Sequence, residues 1–227
     1  MNIIITGASK GLGKAIATIF AQKGCTLFLC ARNEEALLQT AQALQLQFPQ
    51  SKIYTKAIDI SISANAKEFA NWCLSYGTPN ILINNAAQFI AASLLQEEDK
   101  TLESLMNTNV YSAINITKTL LPAMMQNKQG HIFNICSTAA IQAYTKASSY
   151  SITKHALLGF SRNLCNELKP YYIKVTAIIP AAIYTESWMN EQVDKSCMLS
   201  VDEVAEKIYT TSLLSFQNNE EEIILQP

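Results

Sequence analysis

No run rich in lysine or arginine occurs anywhere in the 227 residues, and the formal net charge is −1. This argues against nucleic acid as the main partner. Charge of either sign is scarce: 15% of residues are charged and 49% are hydrophobic, which excludes extended disorder and implies a large buried core. Histidine is nearly absent, with only His131 and His155, and no two of the six cysteines (Cys25, Cys30, Cys73, Cys136, Cys165, Cys197) form a CxxC pair. A zinc site is therefore not expected. Several cysteines sit in apolar runs such as "TLFLC" and "HIFNIC", the pattern of buried, reduced thiols in a cytoplasmic protein. The opening "MNIIITGASKG" lacks the basic and long apolar segments of a signal peptide. No run of about 18 apolar residues is present, so no membrane span is expected. No proline-, glycine- or serine-rich linker, low-complexity run or internal repeat divides the chain, and residues 1–227 read as one domain.

What is present is an alternation. Short apolar runs at 2–6, 26–30, 52–58, 80–84, 131–136, 174–179 and 222–226 read as strands, and most are nearly continuous, as expected for strands covered on both faces. Between them, patterns near 12–23, 34–48, 63–76, 99–127, 148–169 and 201–215 read as helices, with Pro122 kinking the fifth or marking its last turns. This rhythm predicts an α/β fold: one doubly wound, Rossmann-like, parallel seven-stranded sheet with helices on both faces. The segment 181–200 has no clear period and reads as a substrate loop.

Two local patterns carry chemistry. The first strand runs into "TGASKGLG", with Gly7, Gly11 and Gly13 ahead of a helix. Such a turn lets a phosphate approach the backbone, and the helix N-terminus offers it free N–H groups. The spacing differs from the common G-x-G-x-x-G. The second pattern, "YSITK", places Tyr150 and Lys154 one helical turn apart on one face.

These stretches, with "NNAA" at 84–87 and a serine upstream of the tyrosine, resemble the short-chain dehydrogenase/reductase family in order and distances, over essentially the whole chain. The resemblance implies a cofactor turn at Thr6, Gly7, Ser9, Lys10, Gly11, Leu12 and Gly13. It implies further cofactor contacts from Asn85, Ala86 and Ala87, from Asp59 and Ile60 near the adenine, and from Pro180, Ile183 and Thr185 at the nicotinamide carboxamide. Ala87 and Ala181 stand where the family usually has glycine. The catalytic set it implies is Asn109, Ser137, Tyr150 and Lys154. A phenol has an ordinary pKa of roughly 10, too high for efficient proton transfer near neutrality; an ammonium one turn away favours the phenolate. Lys154 is also expected on the nicotinamide ribose, Ser137 on the substrate oxygen, and Asn109 on a water leading to Lys154.

At the end of the second strand, Ala31 replaces the acid of NAD-preferring relatives and Arg32 follows, with Lys10 on the same side. Two cations suit a 2′-phosphate, so NADP(H) is expected rather than NAD(H). Glu34 and Glu35 read as first-turn helix acids. The substrate pocket is expected from 88–95, 139–148 and 181–200, with Phe89, Ile141, Gln142, Tyr144, Tyr184, Trp188 and Met189 as liners. The ending "EIILQP" lacks the family's glycine-rich tail, which would leave one side of the pocket open. The implied activity is hydride transfer between the nicotinamide and a carbonyl or secondary alcohol, with 3-oxoacyl-carrier and pterin side-chain (sepiapterin-type) reductases as subtypes. The other class is a non-catalytic, dinucleotide-binding redox sensor or regulator. Apolar surface on the 99–127 and 148–169 helices implies a homodimer or homotetramer.

Overall fold

In a computed structural model, residues 1–185 and 197–227 are described. The strands are β1 (Asn2–Thr6), β2 (Thr26–Ala31), β3 (Lys52–Ala57), β4 (Ile81–Asn84), β5 (Gly130–Ile135), β6 (Ile173–Pro180), β7 (Ile183–Tyr184), β8 (Leu199–Ser200) and β9 (Glu222–Leu225). Seven of them form one sheet in the order β3-β2-β1-β4-β5-β6-β9, and every neighbouring pair is parallel. The α-helices are α1 (Gly11–Gln22), α2 (Glu34–Gln47), α3 (Ser63–Leu74), α4 (Thr101–Met106), α5 (Ser112–Asn127), α6 (Ser148–Leu168) and α7 (Val201–Ser212).

The period-2 geometry of a strand divides β1 between two cores. Ile3 and Ile5, with Leu27 and Leu29 of β2, pack against Ile16 and Phe20 of α1 and Val204 and Ile208 of α7. Ile4 and Phe28 face the other way, onto Phe69 of α3, Ile116 and Leu120 of α5 and Leu164 of α6. Burial on both sides is why these strands read as unbroken apolar runs. Each such side chain contributes about 1.5–3 kcal/mol on burial.

Two expectations are corrected. The helix expected over 99–127 is three pieces: α4, a π-helical turn at Asn107–Tyr111, and α5, which continues through Pro122 to Asn127. A π turn inserts a residue without ending the helix, so the apolar pattern shows no break. The 181–200 segment is not loop throughout. β7 and β8 pair in parallel at Ile183↔Leu199 and Tyr184↔Ser200, two residues each and too short to show a period.

Strand order reverses at β1, which has β2 on one side and β4 on the other. In open parallel sheets a crevice forms at the carboxyl ends of the strands at such a switch point. Thr6, Ala31, Ala57, Asn84 and Ile135 end their strands along this edge.

Candidate active site

The turn after β1 is built by close approach. Gly7 has φ 67° and Gly11 φ 54°, both left-handed. A Cβ at Gly13 would stand 2.2 Å from the Gly7 carbonyl oxygen and 2.6 Å from Asn85 Nδ2, so no side chain fits there. Asn85 clamps the turn to the end of β4. Its Nδ2 donates to the carbonyls of Thr6 (2.8 Å) and Gly7 (3.1 Å), while Thr6 Oγ1 accepts from the N–H groups of Asn85 (3.0 Å) and Ala86 (2.9 Å). Helix α1 starts without a side-chain cap from Lys10 and without an acid in its first turn. Its N-terminal N–H groups and positive dipole end face a cavity of about 390 Å³.

Gly7, Ser9, Lys10, Gly11, Leu12 and Gly13 line that cavity from the turn. Arg32 lines it from the end of β2, Asp59 and Ile60 from the end of β3, and Asn85, Ala86 and Ala87 from the end of β4. Asp59 Oδ1 accepts from the N–H of Ser61 at 3.0 Å, which fixes its carboxylate. Arg32 is exposed and has no ion-pair partner among the described residues. Glu34 and Glu35 occupy the first turn of α2, where Glu35 Oε1 accepts from Gln39 Nε2 at 3.3 Å and neither lines the cavity.

A second cavity of about 400 Å³ continues from the first, sharing Leu12, Asn85, Ala87 and Thr185 with it. Ser137, Tyr150 and Lys154 line it, together with Pro180 and Ile183. Ser137 follows β5 and caps a 3₁₀ turn at Thr138–Ala140; its Oγ accepts from the Ala139 N–H at 3.1 Å, which leaves its proton available to a ligand. Lys154 is 2% exposed, and its Nζ donates to the Ile135 carbonyl at 2.7 Å while lying 5.5 Å from the centroid of the Tyr150 ring. The Tyr150 and Phe89 rings meet edge to face, with centroids 4.9 Å apart.

Asn109 lies in the π turn and bridges two elements. Its Oδ1 accepts from the Gln88 N–H at 2.7 Å, and its Nδ2 donates to the Gln88 carbonyl and to Thr153 Oγ1, both at 3.0 Å. Thr153 in turn donates to the Tyr150 carbonyl at 2.7 Å. Both amide protons of Asn109 are therefore used, and a water at Asn109 would have to donate to one of its oxygens.

The sequence model of the short chain dehydrogenase family matches residues 1–196. The chain belongs to that family. It is 34% identical over 196 residues to dehydrogenase/reductase SDR family member 7B of Xenopus laevis, covering 83% of this chain and 60% of that protein. It thus spans about three fifths of that relative's length. A chain assigned as the ketoacyl reductase of the monensin polyketide synthase of Streptomyces virginiae is 30% identical over 210 residues, 91% of this chain and 79% of that one. Among solved structures, a short-chain dehydrogenase from Sphingobium yanoikuyae in complex with NADPH superposes with a TM-score of 0.86 at 28% identity, over 98% of this chain and 87% of that one.

In this family member the departures from glycine cost no backbone strain. Among described non-glycine residues only Lys100, Lys128 and Tyr172 have positive φ, so Ala87 and Ala181 are unstrained. Of the expected pocket liners, Phe89 and Tyr144 line the second cavity. Ile141 and Gln142, exposed just after the 3₁₀ turn, do not, and Tyr184 instead lines a hollow beside Lys14 and Asp202. Trp188 and Met189 lie outside the described residues. Sequence reasoning missed Asn33 and Thr108, which line the first cavity beside the expected Arg32 and Asn109; Asn109 itself lines neither cavity, and neither Asn nor Thr marks a ligand by itself. Cys136 lines the second cavity, but burial pushes its thiol up to about 12, so it is no nucleophile near neutrality.

Proposed function

We propose that this chain is an NADP(H)-dependent oxidoreductase acting on a carbonyl or secondary alcohol, with Tyr150 as general acid and base. One observation carries the reading: the cavity over the glycine turn and the cavity that holds Ser137, Tyr150 and Lys154 are neighbours that share Leu12, Asn85, Ala87 and Thr185 as walls. A dinucleotide suits the first cavity because the glycine turn brings bare backbone to its wall and an uncapped helix N-terminus faces it. Arg32 and Lys10, both exposed at its rim, suit a 2′-phosphate, and the NADPH complex of the Sphingobium relative supports that choice. When bound, the nicotinamide supplies or accepts the hydride.

The chain's own groups do the rest. Ser137 Oγ donates to the substrate oxygen and holds it in place. The Tyr150 hydroxyl gives that oxygen its proton in reduction and takes it back in oxidation. Lys154 has three N–H groups and uses one on Ile135, leaving two for a ribose and for a water held at Asn109. The similarity to a ketoacyl reductase supports 3-oxoacyl thioesters ahead of pterin side chains as substrates. No helix among the described residues is long and apolar enough to cross a membrane. We place the protein in the cytoplasm, where its five buried cysteines stay reduced.

The test is to mix the pure protein with NADPH or NADH and a panel of ketones and β-keto thioesters, and to follow loss of reduced-cofactor absorbance. Faster consumption of NADPH in the presence of a carbonyl is expected. Tight binding without turnover of any substrate would instead favour a dinucleotide-sensing regulator.

A further inference from the structure

Helix α6 carries Tyr150 in its first turn, yet its own N-cap residue is Ala147, which has no side chain to cap it. The cap comes from 52 residues upstream. One carboxylate oxygen of Glu97 accepts from the Ser149 N–H at 2.9 Å, and the other accepts from the Ser149 hydroxyl. Ser149 is 1% exposed and directly precedes Tyr150. Glu97 is half-buried, while its neighbours Leu94–Gln96 and Glu98–Lys100 are exposed, so this side chain alone in the stretch is turned inward. A local turn stiffens its approach: the N–H groups of Gln96 and Glu97 donate to the Ser93 carbonyl at 2.8 and 3.1 Å, and Ser93 Oγ donates to Gln96 Oε1 at 2.8 Å.

The segment from Gln88 to Glu97 is therefore tied to α6 twice. At its start Gln88 reaches Thr153 through Asn109, and at its end Glu97 grips Ser149. Tyr150 lies between the two anchor points on α6, and Phe89 lies between the two on the segment, with its ring against that of Tyr150. A bidentate carboxylate on a helix N-terminus is a strong, directional tie. We infer that Glu97 is a positioning residue: through Ser149 it sets the first turn of α6, and with it the place of the Tyr150 hydroxyl relative to Ser137.

This rests on the proposed role of Tyr150, and the test separates the two. Wild type, Glu97→Ala, Glu97→Gln and Ser149→Ala would be labelled with ¹³C at tyrosine Cζ, the Tyr150 resonance being assigned by its absence in Tyr150→Phe. They would be compared with NADPH bound and in steady-state kinetics. In Glu97→Ala the Tyr150 resonance is expected to move. kcat is expected to fall by about 10- to 100-fold, the scale of a small misplacement of a reacting group, with the NADPH dissociation constant unchanged. Glu97→Gln should recover part of kcat, because its amide oxygen still accepts from the Ser149 N–H. The double variant Glu97→Ala/Ser149→Ala should be no worse than Glu97→Ala, because the two side chains act as one contact. An unmoved Tyr150 resonance, or a kcat equal to wild type, overturns the inference. If wild type reduces no carbonyl, the proposed function fails, and the resonance alone then decides the role of Glu97.

Discussion

Lys154 Nζ donates to the carbonyl of Ile135 at 2.7 Å, and this one contact joins the helix of Tyr150 to the strand that delivers Ser137. Ile135 is the last residue of β5, and Ser137 lies two positions on. Lys154→Met keeps the stem, loses the charge and leaves a buried carbonyl without its donor. A hydrogen bond from a charged group contributes about 1.5–3 kcal/mol, but the cost of burying the charge disappears too, so the net change in stability should be small. Turnover should fall by about 100-fold or more, because proton transfer loses its partner. Paired measurements of kcat and the thermal midpoint check this; a stable variant with near wild-type kcat contradicts it.

Arg32 is predicted to read the 2′-phosphate. Arg32→Ala should weaken NADPH binding and leave NADH binding almost unchanged. Loss of one charge-assisted hydrogen bond costs about 10- to 150-fold in affinity, and Lys10 should hold the effect to the lower end. Added salt should shrink it, since both side chains are exposed. Dissociation constants for both cofactors decide the matter. Equal losses, or a wild type that prefers NADH, would contradict the assignment.

How much of this site was legible in the sequence depends on the reach of each interaction. The inner strands of the sheet were, because burial on both faces leaves nearly continuous apolar runs; the edge strands β3 and β9, only partly buried, were legible from the alternation of strands and helices. Gly7 and Gly13 were, because a local turn imposes their conformation or clearance, and so was the Tyr150–Lys154 spacing, because a helix imposes it. Contacts closed by the tertiary fold were not. The bridge from Gln88 through Asn109 to Thr153 and the grip of Glu97 on Ser149 join residues 21 to 52 positions apart, and nothing local marks them. The π turn stayed hidden inside an uninterrupted helical pattern.

His131 predicts a pH dependence of stability far from the site. It is 2% exposed, its Nε2 pairs with Thr176 Oγ1 at 2.9 Å, and its Nδ1 has no partner among the described residues. Burial, with the nearby Lys174 charge adding to it, holds its pKa well below the ordinary 6.5. The unfolded chain takes up this proton near its ordinary value and the folded chain does not. The site's contribution is therefore complete above about pH 6.5 and declines as pH falls below it, by up to about 1.4 kcal/mol per pH unit. Denaturant titrations between about pH 7 and 5.5 should show the decline in wild type and a shallower one in His131→Gln. Equal slopes would contradict the prediction.

A homodimer or homotetramer is predicted from apolar side chains left exposed on α4, α6 and the π turn. Leu102 on α4, Tyr111 in the π turn and Ile152 on α6 are 40%, 48% and 48% exposed. Light scattering at micromolar concentration should give a mass of two or four chains. A monomer alone would contradict this.

The central claim, that Tyr150 carries the proton, is tested most directly by Tyr150→Phe. The change removes one hydroxyl and keeps the ring that packs on Phe89. With a substrate that wild type reduces, kcat should fall by about 10²- to 10⁴-fold, the usual worth of general acid catalysis. The NADPH dissociation constant should stay the same. A variant that binds NADPH as wild type does and keeps more than half of its kcat would contradict the account.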